Sequence, residues 1–335
     1  MIIDCHGHYT TAPKALAEWR KQQLDGANPG PLKVSDDDIR ATIGPAQLAF
    51  QIERSADLTI ISPIAGQMGH HLGTLQDSVG WSRTANNLIN QVCNVVYPEN
   101  FAPVCQLPQS PGAPIDACVE ELQRCVLEMG FVGCNLNPDP SGGYWQSPAI
   151  TDRHYYPLYE KMVELGVPAM IHVTGSCNPV IHHTGAHYLN GDTTAFMQLI
   201  QGDLFKDFPD LQLVIPHGGG CVPYHWGRYR GLAQDMGRPP LAQHLMKNVS
   251  FDSCVYHQKG IEMLTGVIDA RNVIFGSEMV GAVKGIDPET GHNYDDTKRY
   301  VDALPLSAAD KKLIYELNAR RVYPRLDARL KAQGR

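Results

Sequence analysis

Eight short apolar runs rich in Ile and Val recur along the chain and alternate with longer amphipathic stretches. The runs occupy residues 1–5, 58–63, 101–107, 131–135, 167–173, 211–217, 249–255 and 273–277. Apolar runs separated by helical patterns are typical of a parallel sheet built from strand and helix units. Eight units predict a closed (β/α)8 TIM barrel of the α/β class, and a doubly wound open sheet is the competing architecture.

The segments between the runs favour a single barrel domain over residues 1–335, a length that one such barrel can absorb. Residues 114–130 and 155–166 have helical patterns, and each ends in a glycine that suits a helix C-terminus. Residues 10–38 are polar and dotted with Gly and Pro, which predicts an excursion over the barrel mouth. Residues 307–323 predict a helix pair that packs on the outside.

Charge and cysteine usage exclude several classes of partner. The net charge is −7 and the acidic excess is dispersed, so no broad surface attracts nucleic acid or an anionic membrane. No stretch approaches the roughly 18 apolar residues of a membrane span, and the start of the chain lacks the features of a signal peptide. Nine scattered cysteines without a CxxC pair fit reduced thiols, so we expect a cytoplasmic protein.

Metal-competent side chains stand at the ends of four predicted strands. The first run is followed by His6 and His8, whose spacing places both side chains on one face, toward the barrel axis. The fifth run contains His172, the sixth ends at His217, and the eighth is followed by Glu278. Active sites of such barrels form where the strands end, so we expect these side chains to converge.

Imidazole nitrogens together with a carboxylate oxygen form the donor set that divalent zinc prefers, with a position left for water. The pattern therefore predicts one metal site made of His6, His8, His172 and Glu278. Manganese and iron accept similar ligands, so the residues leave the metal open among these elements. A single strand-end histidine is more typical of an ordinary core or loop residue, and only the combination indicates a metal.

The order of these motifs resembles that of the amidohydrolase superfamily, in its decarboxylase and hydratase branch. The motifs are HxH, a later His, HGGG, and GS followed by a carboxylate. Longer strings extend the resemblance over the whole chain, namely IIDCHGHYT, LPQSP, FVGCNLNPDP, PAMIHVTGSCNP, HGGGCVPYHWGR and GSEMVGAVKGIDPETGH. The resemblance implies a distorted barrel of the amidohydrolase type. Glu278 replaces the aspartate of most members, and the fourth strand ends without a lysine that could bridge two metals, which favours a mononuclear centre.

The longer strings resemble the hydratases of this branch, which implies a reaction. Water would add to the C=C bond of a 2-keto-4-carboxyhexenedioate to give 4-carboxy-4-hydroxy-2-oxoadipate, in the catabolism of aromatic compounds. Glu278, one methylene longer than aspartate, is expected to bind the metal and also act as general base. His217 is expected to meet the charge that develops on the ketone oxygen, and Tyr188 to donate the final proton.

A substrate with three carboxylates needs cations inside a protein of net negative charge. We expect Arg228 and Lys284, which follow the sixth and eighth strands, to bind carboxylates. Arg228 lies where related decarboxylases use an arginine from a neighbouring subunit, which implies a homo-oligomer. Ser176 and Asn178 are suited either to binding a carboxylate or to capping the next turn.

Three alternative functions stay open at this point. A nonoxidative metal-dependent decarboxylase shares the scaffold and the histidines, and is the runner-up. A hydrolase that opens a lactone is the third possibility. A metal-binding barrel without catalysis is the alternative from another class of protein, and the catalytic groups that accompany the ligands argue against it.

Overall fold

The chain folds around a barrel of eight parallel strands. The computed structural model describes residues 1–335. Each strand pairs with the next one along the chain, from the first to the eighth. The strands are β1 (Ile3–His8), β2 (Leu58–Ser62), β3 (Phe101–Gln106), β4 (Gly133–Leu136), β5 (Ala169–Ile171), β6 (Leu213–Ile215), β7 (Val249–Asp252) and β8 (Val273–Ile274).

Two backbone hydrogen bonds connect the end of the sheet to its beginning. The N–H of Cys5 donates to the carbonyl of Phe275 at 2.8 Å, and the N–H of Glu278 donates to the carbonyl of His6 at 2.8 Å. The predicted α/β barrel is therefore confirmed, and the open doubly wound sheet is excluded. β1 extends to His8, beyond the predicted run, so both of its histidines belong to the strand itself.

Helices surround the barrel and connect its strands. They are α1 (Lys14–Leu24), α2 (Asp36–Ile43), α3 (Ala49–Glu53), α4 (Leu75–Gln91), α5 (Asp116–Met129), α6 (Tyr156–Leu165), α7 (Gly185–Gln201), α8 (Leu204–Asp207), α9 (Trp226–Asp235), α10 (Leu241–His244), α11 (Gln258–Val267), α12 (Thr297–Asp302), α13 (Ala308–Lys312), α14 (Asn318–Val322) and α15 (Pro324–Ala332). Turns of π-helix occupy Gly44–Leu48, Val92–Val96 and Leu313–Leu317. No helix combines the length and the apolar character needed to cross a membrane.

Glycines end two of the predicted helices. α5 ends at Met129 and α6 ends at Leu165, and the residues that follow, Gly130 and Gly166, have φ angles of 69° and 62°. Glycine adopts this left-handed conformation without the steric cost of a Cβ atom, which satisfies the last carbonyls of the helix. The prediction of these two helices and of their glycine ends is confirmed.

Two hydrophobic clusters hold the layers together. The larger cluster has 56 buried residues and joins the strands to the surrounding helices. The smaller cluster has 15 buried residues, which include Ile3 and Leu58 at the start of their strands and Val322 and Leu326 of α14 and α15. α14 and α15 therefore close the bottom of the barrel, opposite the site, which differs from the outer position that we predicted. Ile314 and Tyr315, earlier in the predicted range, pack in the larger cluster. Within residues 307–323 the C-terminal helices form one helical stretch, and the second helix is α15, which lies beyond that range.

Residues 10–38, predicted as an excursion over the mouth, contain α1 and the start of α2. The hydroxyl of Thr10 donates to the carbonyl of Val280 at 2.6 Å, which ties the excursion to the loop after β8. The indole of Trp19 donates to the carbonyl of Gly30 at 2.7 Å, which fixes the turn that follows α1. The excursion thus forms part of the wall around the carboxyl ends of the strands.

Candidate metal centre and active site

The two histidines of β1 face the barrel interior because the strand contains a bulge. The pairing of β1 with β2 shifts register between Asp4 and Gly7. Cys5 packs in the small cluster at the bottom of the barrel, whereas the next residue, His6, faces the mouth. Adjacent residues of a regular strand point to opposite faces, so it is the bulge that allows Cys5 and His6 to point inward together. His6 and His8 then meet, with 3.0 Å between their Nε2 atoms.

His172 and His217 complete a group of four imidazole rings. The ring centroid of His172 lies 5.4 Å from that of His6 and 4.9 Å from that of His8. The ring centroid of His217 lies 5.1 Å from that of His6 and 5.2 Å from that of His172. All four side chains are buried. The structure thus brings together histidines from the ends of three different strands.

Hydrogen bonds fix the orientation of His6 and His172. The Nδ1–H of His6 donates to Oδ2 of Asp252 at 2.6 Å, and the Nδ1–H of His172 donates to the carbonyl of Val173 at 2.8 Å. A carboxylate or carbonyl oxygen only accepts, so Nδ1 carries the hydrogen in both rings, and Nε2 carries a lone pair when the ring is neutral. Burial lowers the pKa of His172 well below its ordinary value, which keeps this ring neutral. Burial would raise the pKa of Asp252, but the hydrogen bonds from His6 and Gly218 and the charges of His6 and His217 together outweigh it and lower that pKa.

His8 and His217 are oriented in the same way. Nδ1 of His8 lies 2.7 Å from Oγ of Ser62, whose own hydroxyl donates to the carbonyl of Pro63 at 2.9 Å. His8 is therefore the donor in its pair with Ser62, and burial lowers the pKa of His8 well below its ordinary value. The Nδ1–H of His217 donates to Oδ2 of Asp192 at 2.9 Å. Burial by itself would lower the pKa of His217, but the neighbouring carboxylates, Asp192 first, outweigh it and raise the pKa to about 9.

Glu278 provides the carboxylate of the group. Its Oε2 accepts a hydrogen bond from the hydroxyl of Tyr256 at 2.9 Å and lies 3.7 Å from Nε2 of His217. The backbones of Glu278 and His217 are both left-handed, with φ angles of 50° and 53°. Non-glycine residues adopt this region at a cost of roughly 1–3 kcal/mol each. Strain of this kind persists where the surrounding fold enforces it, and it is typical of functional sites.

The inward-facing nitrogens form a site that fits a divalent metal. Ligand atoms of His6, His172, His217 and Glu278 all lie within 4.8 Å of one another. The buried Nε2 atoms of His172 and His217 have no hydrogen-bond partner in the protein. The Nε2 atoms of His6 and His8 face each other at 3.0 Å, an arrangement that a cation bound by both nitrogens would stabilise. This group of four contains His217, which we predicted to act on the substrate, and leaves out His8, which we predicted as a ligand.

Helix α7 places two buried residues against His217. Tyr188 and Asp192 lie one helical turn apart, and the ring of Tyr188 stacks on that of His217 with 5.6 Å between centroids. The helix approaches the end of β5 closely because Gly191 has no side chain, and a Cβ atom there would lie 2.6 Å from a methyl group of Val173. Burial raises the pKa of Tyr188, so the phenol keeps its proton.

Two cavities meet at Glu278 and Tyr188. The first, which we name the catalytic cavity, has a volume of about 330 Å³ and is also lined by His8 and Lys284. The second, the apolar cavity, has a volume of about 590 Å³ and is lined mainly by apolar side chains, with His217 at its inner end. Of the predicted substrate-binding residues, Lys284 is therefore the one that the structure places beside Glu278.

The other predicted substrate-binding residues do not line these two cavities. Arg228 is exposed on α9. The hydroxyl of Ser176 donates to the carbonyl of Gly142 at 3.2 Å and accepts the backbone N–H of Asn178 at 3.1 Å. The side-chain amide of Asn178 donates to the carbonyl of Gly143 at 3.1 Å. These bonds fasten the loop after β5 to the loop after β4.

Three polar residues of the site are absent from the sequence predictions. Asp252 is the last residue of β7, so its place at a strand end was a usable signal. Asp192 shares a helix face with Tyr188, which becomes visible only once the limits of α7 are known. Tyr256 lies in the loop after β7, and no sequence pattern directs it toward Glu278.

Comparisons with known proteins give consistent results. The family described as amidohydrolase matches residues 3–325. The chain is 60% identical, over 339 aligned residues, to the 2-keto-4-carboxy-3-hexenedioate hydratase of Sphingobium sp. (strain NBRC 103272 / SYK-6), covering 100% of this chain and 99% of that protein. A crystal structure of the 4-oxalomesaconate hydratase of Rhodopseudomonas palustris superposes with a TM-score of 0.93 at 56% identity, covering 100% of this chain and 99% of that one.

A decarboxylase is a more distant relative. The gamma-resorcylate decarboxylase of Rhizobium sp. (strain MTP-10005) is 28% identical over 259 residues, covering 72% of this chain and 75% of that protein. The difference in identity and coverage separates the two hydratases from this decarboxylase.

Replacing Asp252 tests its role as the acceptor that supports the site. Its carboxylate accepts from His6 and from the backbone N–H groups of Gly218 and Cys254, both at 3.0 Å. Asp252→Ala leaves these buried donors unpaired, so we expect the free energy of unfolding to fall by about 3–5 kcal/mol. Asp252→Asn keeps an acceptor for the two backbone groups, so its free energy of unfolding should fall by less. Chemical denaturation measures both, with the exposed Asp235→Ala as a control expected within about 0.5 kcal/mol of the wild type. Equal stability of Asp252→Ala and the control would contradict this role.

Proposed function

Because this chain belongs to the amidohydrolase family, we propose that its barrel is a hydro-lyase that hydrates 4-oxalomesaconate, in its keto form 2-keto-4-carboxy-3-hexenedioate. The observation that carries this conclusion is the identity of 60% and 56%, over essentially the whole chain, to two proteins named as hydratases of these compounds. The product is 4-carboxy-4-hydroxy-2-oxoadipate. The reaction belongs to the catabolism of aromatic compounds, such as protocatechuate, gallate and lignin-derived acids.

The reaction needs a base on one side and an acid on the other. Water attacks the alkene carbon that bears the carboxylate, and it loses a proton as the new C–O bond forms. Negative charge moves through the alkene to the ketone oxygen. The carbon next to the ketone then takes up a proton. The site must therefore supply a base for water, a donor for the oxygen and an acid for the carbon.

We propose that one divalent metal, zinc by its preference for nitrogen and oxygen donors, is held by His6, His8, His172 and Glu278. The inward lone pairs of the three rings and the neutral state that burial imposes on His8 and His172 support this set. A divalent cation there would supply Lewis acidity, which makes water easier to deprotonate near neutral pH.

Glu278 is proposed as the general base. The hydroxyl of Tyr256 donates a hydrogen bond to Oε2 of Glu278, and no side chain or backbone group donates to Oε1. Its carboxylate lines both the catalytic and the apolar cavity, so it is within reach of water in either one. The hydrogen bond from Tyr256 fixes the orientation of the carboxylate, which general-base catalysis requires.

His217 is proposed to stabilise the ketone oxygen, and Tyr188 is proposed to protonate the carbon next to the ketone. Asp192 favours the protonated form of His217, in which Nε2–H is a donor that faces the same space as Glu278. A donor there stabilises the oxygen as it becomes negative. Tyr188, stacked on His217 and protonated because it is buried, is placed to deliver the proton to the carbon next to the ketone.

Basic and polar residues near the mouth are proposed to bind the carboxylates. Lys284 lines the catalytic cavity and supplies a positive charge there. Ser176 and Asn178, on the loop after β5, are proposed to supply uncharged hydrogen bonds. Arg228 is exposed on its own chain, so we propose that it serves the site of a neighbouring copy in a homo-oligomer of two or more chains.

Two broader features complete the proposal. Residues 1–335 are proposed to form a single barrel domain, with the excursion at 10–38 on the mouth and the helices that include 307–323 at the bottom. All nine cysteines are free thiols, which supports a place in the reducing cytoplasm.

Product analysis distinguishes hydration from decarboxylation. With 4-oxalomesaconate in heavy water, we expect 4-carboxy-4-hydroxy-2-oxoadipate that carries one solvent deuterium on the carbon next to the ketone. Mass spectrometry and NMR identify the product, and a carbon dioxide assay runs in parallel. Stoichiometric carbon dioxide, or a product without a new hydroxyl, would overturn the hydratase in favour of the decarboxylase.

Metal analysis of variants tests the ligand set. Wild-type protein should contain about one divalent metal per chain, and His6→Ala and His172→Ala should lose it while remaining folded. The exposed His257→Ala serves as the matched control and should keep the metal. Elemental analysis gives the metal content, and circular dichroism checks the fold. Full metal content in His6→Ala would show that the ligands are elsewhere.

Glu278→Gln tests the general base. The amide keeps the shape of the side chain but cannot take a proton from water, so turnover should fall by about 100-fold or more. Substrate binding should change little. Steady-state kinetics measures both, with the exposed Glu289→Gln as the matched control. Nearly unchanged turnover in Glu278→Gln would move the base to another group.

A further inference from the structure

A third cavity lies at the barrel mouth, between α1, the loop after β2 and the loop after β5. It has a volume of about 510 Å³, and Arg20, His71, Trp81 and Ser176 are among the residues in its wall. We name it the Arg20 cavity. It adjoins the catalytic cavity, because Gly66, Gln67 and His183 line both of them.

The guanidinium of Arg20 is buried and forms no ion pair. The residue is 8% exposed, and its side chain donates to Gln23 at 2.6 Å and to the carbonyls of Gly69, Leu72 and Asp77 at 3.3 to 3.5 Å. The three bonds to carbonyls are longer than the usual range for N–H donors, and Nε–H takes part in none of them. A buried charge that forms no ion pair is costly unless an anion approaches it.

No carboxylate of the cavity wall forms an ion pair with this positive charge, and Asp77, which is outside the wall, favours the charge electrostatically without forming an ion pair. Asp25 is the acidic residue of the wall, and it pairs with Lys21 at the outer rim, where the two side chains are 60% and 76% exposed. Nδ1 of His71 is buried and has no hydrogen-bond partner. The guanidinium carbon of Arg20 lies 5.2 Å from the ring centroid of Trp81, which holds the side chain in place.

We propose that the Arg20 cavity binds one carboxylate of the tricarboxylate substrate, with Arg20 as the charged donor. This inference rests on the proposed function. The ketone end of the substrate must meet His217, and the double bond must lie at Glu278. The carboxymethyl arm is at the other end of the molecule, so it is the arm that extends past Gly66 into the Arg20 cavity. Arg20 would then determine specificity for a tricarboxylate over a dicarboxylate.

A comparison of two substrates tests this assignment. The first is the tricarboxylate, and the second is an analogue in which an ethyl group replaces the carboxymethyl arm. Arg20→Met should raise the KM of the tricarboxylate by about 10-fold to 100-fold, the range for one charge-assisted hydrogen bond, and change kcat little. The same variant should leave the KM of the analogue unchanged, because the arm of the analogue has no carboxylate that Arg20 could contact. Lys14→Met, at an exposed position of the same helix, is the control and should leave both KM values unchanged.

A purely structural role of Arg20 would give a different result in this comparison of two substrates. If Arg20→Met raises the KM of both compounds by the same factor, Arg20 only fastens α1 to the loop after β2, and the proposal is wrong. If Arg20→Met does not fold, Arg20→Lys, which keeps the charge, is compared on the same two compounds. Equal KM values of the wild type for the two compounds would also overturn the proposal.

Binding and inhibition by succinate separate two further outcomes. Succinate that raises the melting temperature but does not compete with the substrate would indicate a separate dicarboxylate site and contradict the proposal. Competitive inhibition by succinate that is weakened in Arg20→Met supports it. Failure of the wild type to hydrate the tricarboxylate at all would instead reject the proposed function, before any variant of Arg20 is measured.

Discussion

The hydrogen bonds on the outer nitrogen of each imidazole determine where the inner nitrogens point. Asp252 holds His6 and Asp192 holds His217, each through Nδ1, so Nε2 of both rings faces the centre of the barrel mouth. The carbonyl of Val173 does the same for His172. If the acceptor of His6 or His172 were lost, the ring could move its hydrogen to Nε2, and the centre would lose a lone pair. The donor set therefore depends on residues that never face the substrate.

The barrel makes this arrangement possible because strand ends that are distant in sequence meet at one mouth. β1 contributes two rings through its bulge, and the residues after β6 and β8 hold strained backbones at His217 and Glu278. The helices that follow α13 fill the opposite end of the barrel with apolar side chains such as Val322 and Leu326. Packing at the bottom thus supports strained and polar groups at the top, which would otherwise relax.

Much of this arrangement follows from sequence patterns, and the rest depends on three-dimensional detail. The eight apolar runs predict the barrel, and their ends predict His6, His172 and Glu278, since parallel strands all end at one edge. Asp192 depends on the rotational phase of α7, and Tyr256 depends on the path of a loop, so neither follows from local pattern. The packing of the C-terminal helices under the barrel depends on tertiary contacts, and the amphipathic pattern of these helices does not specify which surface they cover.

Anomalous X-ray diffraction from crystals of the purified protein tests the central claim most directly, because it locates a metal without reference to activity. We expect one strong peak per chain, within about 2.0–2.2 Å of Nε2 of His6, His8 and His172 and of a carboxylate oxygen of Glu278. Data collected across the absorption edges of zinc, manganese and iron identify the element. A metal-loaded protein with no peak among these residues, or with a peak bound elsewhere, would contradict the account.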